Sequence, residues 1–408
     1  MNALGAAAAL ITLAALFGWL NYRTLRRPQS IALLLFSLAA SLVLLALGAL
    51  GFPARGIAQR ALDAIPLGRA LLDGMLSFLL FAGALHVDLG ELRERKGAVA
   101  FLASLGVVVS AFLAGTALWA IFRALGNPLP LAWCLVFGAL ISPTDPIAVM
   151  GFLKSCKAER SLEIKMAGES LFNDGTGVVL FVLLLGVAAG GEHTGPAEVA
   201  RVFAREAVGG ALFGLAIGWA CYRLLASVDD YQVEILLTLA LVMGGYAAAL
   251  ALHLSGPIAI VVAGILIGNH GRRHAMSERT RGRLDDFWEL VDGILNAVLF
   301  VMIGLELLVI DFHGPYAWAA LLAVPAVLAA RFLSVSLAAI VPGLRADFPP
   351  QVVKILTWGG LRGGISVALA LSLPAEGPRD PILAVTYAVV LFSVLVQGLT
   401  LPRLLRSA

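Results

Sequence analysis

The stretch that decides the fold is ISPTDPI at residues 141–147, inside an apolar segment that runs from about 130 to 153. Two prolines three residues apart each remove a backbone donor and disfavour a helical conformation in the preceding residue. We therefore expect the helix to unwind here. Asp145 adds a charge at the same point, which a simple proline kink does not require.

Composition places this segment in a membrane. The chain has 408 residues, of which 60% are hydrophobic and only 13% are charged, whereas an ordinary soluble domain has about 25% charged residues. So few charges cannot cover a soluble exterior, which excludes a soluble globular enzyme, a disordered chain and a fibrous protein. A β-barrel is disfavoured because half of its residues would face a polar lumen. The remaining class is an all-α polytopic membrane protein.

Hydrophobic segments divide the chain into about thirteen candidate transmembrane helices, since a helix needs about 20 apolar residues to cross the bilayer. The short ninth segment is the weakest of them, and the stretch 52–66 is predicted to be an interfacial loop or surface helix. The candidate spans are 4–20, 31–51, 67–86, 98–122, 130–153, 164–187, 202–226, 232–252, 256–269, 288–310, 315–341, 351–373 and 381–402.

Basic residues orient these spans. The segments that follow odd-numbered spans carry 20 lysines and arginines, and those on the other side carry 7. Cytoplasmic loops of membrane proteins are enriched in Lys and Arg. The distribution predicts an N-terminus outside and a C-terminus in the cytoplasm.

A few ionisable residues lie inside predicted spans, where a charge is costly and usually functional. Three acids near the ends of the tenth span are instead predicted to be interfacial or capping charges: Glu289, Asp292 and Glu306. The ionisable residues that lie well inside predicted spans are Asp145, Glu169, Asp174, Arg331 and Arg362.

The sixth span carries GESLFNDGTG at residues 168–177. On a helix, Ser170 and Asp174 lie one turn apart, as do Glu169 and Asn173, and the two pairs share one face. This polar face indicates an interior site, and the flanking glycines permit another backbone to approach closely.

The twelfth span carries TWGGLRGGIS at residues 357–366, where four glycines around Arg362 interrupt the helix. Spans five and twelve are an odd number of spans apart, so they run in opposite directions. Paired broken helices of this kind are typical of secondary transporters with inverted repeats. Crossing at the membrane midplane would bring Thr144 and Asp145 to the Arg362 region. The lone Arg331 needs an anion; Glu169 is favoured, with Arg362 as a competing base.

Several of these motifs together resemble the monovalent cation:proton antiporters of the NhaP type, relatives of the animal sodium/proton exchangers. The resemblance runs from about residue 70 to the C-terminus. Its carriers are LFAGALHVD (80–88), SPTDP (142–146), ESLFND (169–174), FWE (287–289), NAVLFVMIGLE (296–306) and GGLRG (359–363).

The resemblance implies a 13-helix fold with a core ion-carrying bundle and a dimerising bundle, normally in a homodimer. It implies Na⁺ ligation around Asp174, Asp145, Ser170 and Thr144, with Glu169 nearby and held by an arginine. An Asn-Asp pair such as Asn173-Asp174 is typical of electroneutral relatives. Residues 1–408 are expected to form one transporter domain, with core ion-site helices in 130–187 and 315–373. The family's regulatory C-terminal domain is expected to be absent.

The expected function is exchange of Na⁺ (or Li⁺) for H⁺ across the inner cell membrane, without enzymatic activity, cofactor or nucleic acid. Hard cations take oxygen ligands, and Asp174 can hold either Na⁺ or H⁺ but not both. K⁺/H⁺ exchange is the alternative, because the same oxygens can ligate K⁺. A cation channel and an intramembrane aspartyl protease are remote, since neither a selectivity filter nor a GxGD-type loop occurs.

Overall fold

The computed structural model describes residues 3–50, 74–145, 159–190, 196–308 and 314–406, together with the single positions 149, 153 and 310. Regular structure in these residues is helical throughout, because a backbone in lipid must satisfy its hydrogen bonds within the segment. The predicted interfacial stretch 52–66, the start of the third predicted span and most of 146–158 lie outside the described residues.

Each predicted span contains at least part of a described helix, and the twelfth span contains two. The helices are α1 (Ala3–Arg23), α2 (Gln29–Ala49), α3 (Leu76–Leu85), α4 (Leu89–Glu94), α5 (Lys96–Ala124), α6 (Leu131–Ile141), α7 (Arg160–Ala188), α8 (Pro196–Leu225), α9 (Tyr231–Ala251), α10 (Gly256–Leu266), α11 (Glu278–Glu306), α12 (Pro315–Ala338), α13 (Pro350–Gly359), α14 (Gly364–Leu371) and α15 (Arg379–Leu405).

Eight of the described helices are long and apolar enough to cross a membrane, or nine if α13 and α14 count as one bent span. The predicted class, an all-α polytopic membrane protein, is confirmed. The number thirteen stays a prediction.

The helices pack as two sets that meet along a central cavity. In one set α5 packs on α6 and α12, α6 packs on α7, and α12 packs on α15. In the other set α10 packs on α3 and α8, and α11 packs on α2. Small residues allow the closest of these contacts. At Gly115 of α5, for example, a Cβ would lie 2.8 Å from the carbonyl oxygen of Cys134 on α6.

Both predicted helix breaks are present, and they position the site. α6 ends at Ile141, and residues 142–145 are not helical. α13 ends at Gly359, four non-helical residues follow, and α14 continues with a bend of 48°. The two unwound segments touch, because the backbone N–H of Asp145 donates to the carbonyl oxygen of Leu361 at 2.7 Å.

A π-helical turn in α15 supports the second break. Residues Ser393–Gln397 form this turn, and the Ser393 hydroxyl accepts a hydrogen bond from the backbone N–H of Arg362 at 2.8 Å. Single π turns inside α-helices often occur at functional sites. The turn therefore satisfies a donor that the unwound segment leaves without a helical partner.

Candidate cation site

A cavity of about 680 Å³ leads from one face of the protein to the unwound segments. Glu91 of α4 and Arg160 at the start of α7 line its mouth, and both side chains are substantially exposed. Thr144, Asp145 and Asp174 line it at the crossing. The mouth lies among the chain segments rich in basic residues. The cavity thus gives ions and water a path from that face to buried carboxylates.

Thr144 is held by the polar face of α7. Its hydroxyl lies 3.0 Å from the Ser170 hydroxyl and accepts a hydrogen bond from Asn173 Nδ2 at 2.8 Å. Its backbone N–H donates to Asn173 Oδ1 at 3.3 Å. All three side chains are buried. Asn173 thus binds both the backbone and the side chain of the unwound segment, and it fixes that segment against the helix that carries Asp174.

Two carboxylates complete this group of oxygens. Asp174 is 7% exposed and Asp145 is partly buried, and they lie close enough for the charge of one to act on the other. The Asp145 side chain also fills the space where a Cβ at Gly363 would stand. Carboxylate and hydroxyl oxygens are the ligands that hard cations prefer. Asp145, Thr144, Ser170 and Asp174 therefore offer a set of ligands suited to Na⁺ at the inner part of the cavity.

Glu169, one turn before Asn173 on α7, forms a buried ion pair with Arg331 of α12. The Arg331 Nη2 atom donates to Glu169 Oε2 at 2.9 Å, and Nη1 donates to Glu169 Oε1. The guanidinium also donates to the carbonyl oxygen of Leu356 through Nη2 at 3.1 Å and Nε at 3.3 Å. This is the pairing that the sequence favoured, and it links α7, α12 and α13 behind the candidate site.

Arg362 does not compete for Glu169. Its Nη1 atom donates to the carbonyl oxygen of Ser142, and to that of Pro143 at 3.1 Å. These carbonyls follow the end of α6, where the helix supplies no further N–H groups. Arg362 is 2% exposed, so its side chain caps one broken helix from within the other. The sequence placed this arginine near the crossing without identifying these acceptors.

Sequence reasoning missed a second polar group on the cavity wall. Asp292 and Asn296 of α11 line the cavity, although Asp292 was predicted to be an interfacial or capping charge. A capping role is excluded because the helix begins at Glu278, ten residues before the predicted span, so Asp292 is at its middle. The spacing of Asp292 and Asn296, four residues apart on one helical face, was the signal that could have found them.

Comparison with known proteins agrees with this architecture. The sequence profile of the family described as sodium/hydrogen exchanger, transmembrane, matches residues 10–407. The chain belongs to the sodium/hydrogen exchanger family. It is therefore a multi-pass membrane protein, and the family resemblance seen in the sequence motifs is confirmed.

Relatives of this exchanger family align over nearly the whole chain. The Na⁺/H⁺ antiporter NhaP of Pseudomonas aeruginosa is 47% identical over 404 residues, covering 98% of this chain and 95% of the relative. The Na⁺/H⁺ antiporter NhaH of Halobacillus dabanensis is 37% identical and covers 94% and 93%. The structure of the sodium proton antiporter MjNhaP1 from Methanocaldococcus jannaschii at pH 8 superposes with a TM-score of 0.77. It is 19% identical and covers 100% of this chain and 99% of its own, which shows a shared fold.

Proposed function

We propose that this exchanger is a secondary antiporter of the inner cell membrane that exchanges one Na⁺ or Li⁺ for one H⁺. Its relatives from Pseudomonas and Halobacillus carry the name Na⁺/H⁺ antiporter. The observation that carries the proposal is the crossing of the two unwound segments. It sets Thr144 and Asp145 against the polar face of α7 that bears Ser170 and Asp174, where the cavity can deliver a cation.

Asp174 is the group for which Na⁺ and H⁺ compete in this proposal. A carboxylate must lose its proton before it can ligate a cation, so cation binding releases a proton. Asp174, Asp145, Ser170 and Thr144 would supply side-chain oxygens to the bound Na⁺. Because the two substrates exclude one another at one carboxylate, binding of one drives release of the other.

Asn173 supports a stoichiometry of one cation for one proton. It bears no titratable group, and both ends of its amide are engaged with Thr144. In this proposal Asp174 is then the carboxylate that cycles, and its neighbour Asn173 does not. Exchange of one positive charge for another moves no net charge.

Alternating access would carry this site from one side of the membrane to the other. The cavity opens on the face rich in basic residues, which the charge distribution assigns to the cytoplasm. Core helices within 130–187 and 315–373 would move against the remaining helices to expose the site on the opposite face. We also propose a homodimer, with the N-terminus outside and the C-terminus in the cytoplasm.

Proteoliposomes with an imposed pH gradient test this function. The wild-type chain is expected to collapse the gradient when Na⁺ or Li⁺ is added, and Asp174→Asn is expected to abolish the response. Asp286→Asn is the matched control, because Asp286 is an exposed acid on α11 outside the cavity. Normal Na⁺-driven proton flux in Asp174→Asn would overturn the mechanism. A response to K⁺ greater than that to Na⁺ would instead assign K⁺/H⁺ exchange.

The stoichiometry has its own test. With Na⁺ and pH gradients held constant, the initial exchange rate is expected to be the same at zero and at about 100 mV of imposed membrane potential. One elementary charge moved through 100 mV corresponds to about 2.3 kcal/mol. A clear dependence of rate or reversal point on the potential would refute one-for-one exchange.

A further inference from the structure

The wall of the cavity that faces the crossing carries polar groups that the proposed mechanism does not use. Asp292 and Asn296 lie one turn apart on α11, in the set of helices that does not contain Asp174. Glu289 lies one turn before Asp292 and also lines the cavity. α11 and α14 are in contact here, because the Leu299 side chain occupies the space beside Gly364. This second polar group therefore faces the same cavity as the crossing.

A hydrogen bond within α11 fixes the orientation of the Asn296 amide. The side chain is 6% exposed, and its Nδ2 atom donates to the backbone carbonyl of Asp292 at 2.9 Å. A carbonyl can accept only from the nitrogen end of the amide, so this bond fixes which end is oxygen. No described residue donates to Asn296 Oδ1. A buried acceptor without a partner is rare in folded proteins and calls for an ion or a water.

Charge around Asp292 favours a cation over a water. The charged groups that act on its carboxylate are Asp145 and Glu289, both acidic. Among the described residues no lysine or arginine forms an ion pair with it. A partly buried carboxylate repelled by two others gains most from a positive charge, and the cavity is the open route by which one can arrive.

A hydroxyl on α14 lines the same cavity. Ser366 of α14 is 1% exposed, lines the same cavity and has no hydrogen-bond partner for its Oγ atom in the part of the chain that is described. If Asp292 ligates together with the neutral amide and hydroxyl oxygens, while Asp145 and Glu289 act only through their charge, the set suits a monovalent hard cation. Divalent Ca²⁺ commonly takes six to eight oxygens with several carboxylates.

We propose that Asp292 and Asn296 form a second cation position, separate from the one at Asp174. It takes Na⁺ or another hard monovalent cation as the ion passes from the mouth of the cavity towards the crossing. Its role as a stage in transport rests on the proposed antiport function. Binding at this position does not, because it depends only on the carboxylate, the amide oxygen and the open cavity.

Equilibrium binding of ²²Na⁺ to the purified full-length protein in detergent tests the proposal. In an Asp145→Asn/Asp174→Asn background the core carboxylates are neutral, and saturable Na⁺ binding is expected to remain. Adding Asp292→Asn is expected to weaken that binding at least tenfold, and adding Asn296→Ala is expected to weaken it several-fold. Adding Asp286→Asn, the same chemical change at an exposed position on the same helix, is expected to leave it unchanged.

Two results would overturn the second position. One is the absence of saturable Na⁺ binding in the Asp145→Asn/Asp174→Asn background, with the protein monodisperse and cooperatively unfolding. The other is binding that persists unaltered after Asp292→Asn and after Asn296→Ala. Neither result depends on transport. The antiport function is tested separately, by the Na⁺-driven proton flux of Asp174→Asn in proteoliposomes, so the two proposals can fail independently.

Discussion

Glu169→Gln is expected to destabilise the protein through the buried pair with Arg331. The side chains of Glu169 and Arg331 are 2% and 5% exposed. Removing one partner of such a pair costs about 3–5 kcal/mol, because the other charge stays buried without compensation. The introduced amide would keep one oxygen acceptor, and Arg331 would keep its two hydrogen bonds to the Leu356 carbonyl. We therefore expect a loss near the lower limit, about 3 kcal/mol.

A double-mutant cycle isolates the pair. Arg331→Met is expected to cost about as much as Glu169→Gln, because it removes the hydrogen-bonded partner of the buried Glu169 carboxylate. In the double variant neither charge remains, so its loss is expected to fall short of the sum of the single losses by about 2–3 kcal/mol. The free energy of unfolding is measured by SDS titration in mixed micelles.

Glu163→Gln is the matched control for this cycle. Glu163 lies on the same helix and is paired with Arg160 through Nη1 at 2.7 Å; its own side chain is 10% exposed, but the Arg160 side chain is 63% exposed, so the charge left behind by the substitution stays in water. Because the remaining charge is exposed, we expect a loss in the range of exposed pairs, about 0–1 kcal/mol. Additive single losses, or an equal loss from Glu163→Gln, would refute the reasoning. So would a Glu169→Gln protein of normal stability that has lost Na⁺ binding, since Glu169 would then act on the ion rather than on the fold.

The remaining predictions concern the crossing. Gly177→Ala is expected to cost about 1–3 kcal/mol through overpacking and to slow exchange, because its Cβ would strike the ring of Pro143, with Cδ at 2.9 Å. Gly186→Ala on the same helix meets nothing within 4 Å and serves as the control in unfolding and exchange assays. Lowering pH is expected to weaken Na⁺ binding by up to about tenfold per unit, because the cation displaces a proton. Affinity independent of pH between about 5 and 9 would contradict competition at Asp174.

Local sequence chemistry predicted the parts of the site that a single segment determines. Prolines 143 and 146 around Asp145 predicted the unwound segment, and the glycines around Arg362 predicted the second break. The i,i+4 spacing on α7 predicted that Ser170 and Asp174 share a face. Each of these features follows from backbone geometry within a few residues, so no knowledge of the packed structure was needed.

Features that depend on contacts between distant segments could not be predicted from the sequence. The acceptors of Arg362 are backbone carbonyls 219 and 220 positions away in the chain. Every residue has such a carbonyl, so no pattern of residue types indicates which ones bind the arginine. The position of Asp292 on the cavity wall was missed for another reason. Hydropathy marks where lipid begins, whereas α11 extends ten residues further towards its N-terminus, and the helix is longer than its apolar portion.

The position of Arg362 has a consequence for leakage through the empty transporter. Its guanidinium donates to the carbonyls of Ser142 and Pro143, so under the proposed alternating access it would move with the site and add a permanent positive charge to it. With Asp145 ionised, the net charge of Arg362, Asp145 and Asp174 together is zero when Asp174 holds either a proton or a sodium ion. It is minus one when Asp174 holds neither. A neutral body crosses a low-dielectric barrier far more readily than a charged one. Under the proposed mechanism the arginine would thereby make each occupied form mobile and the vacant form slow, which would suppress futile dissipation of either gradient.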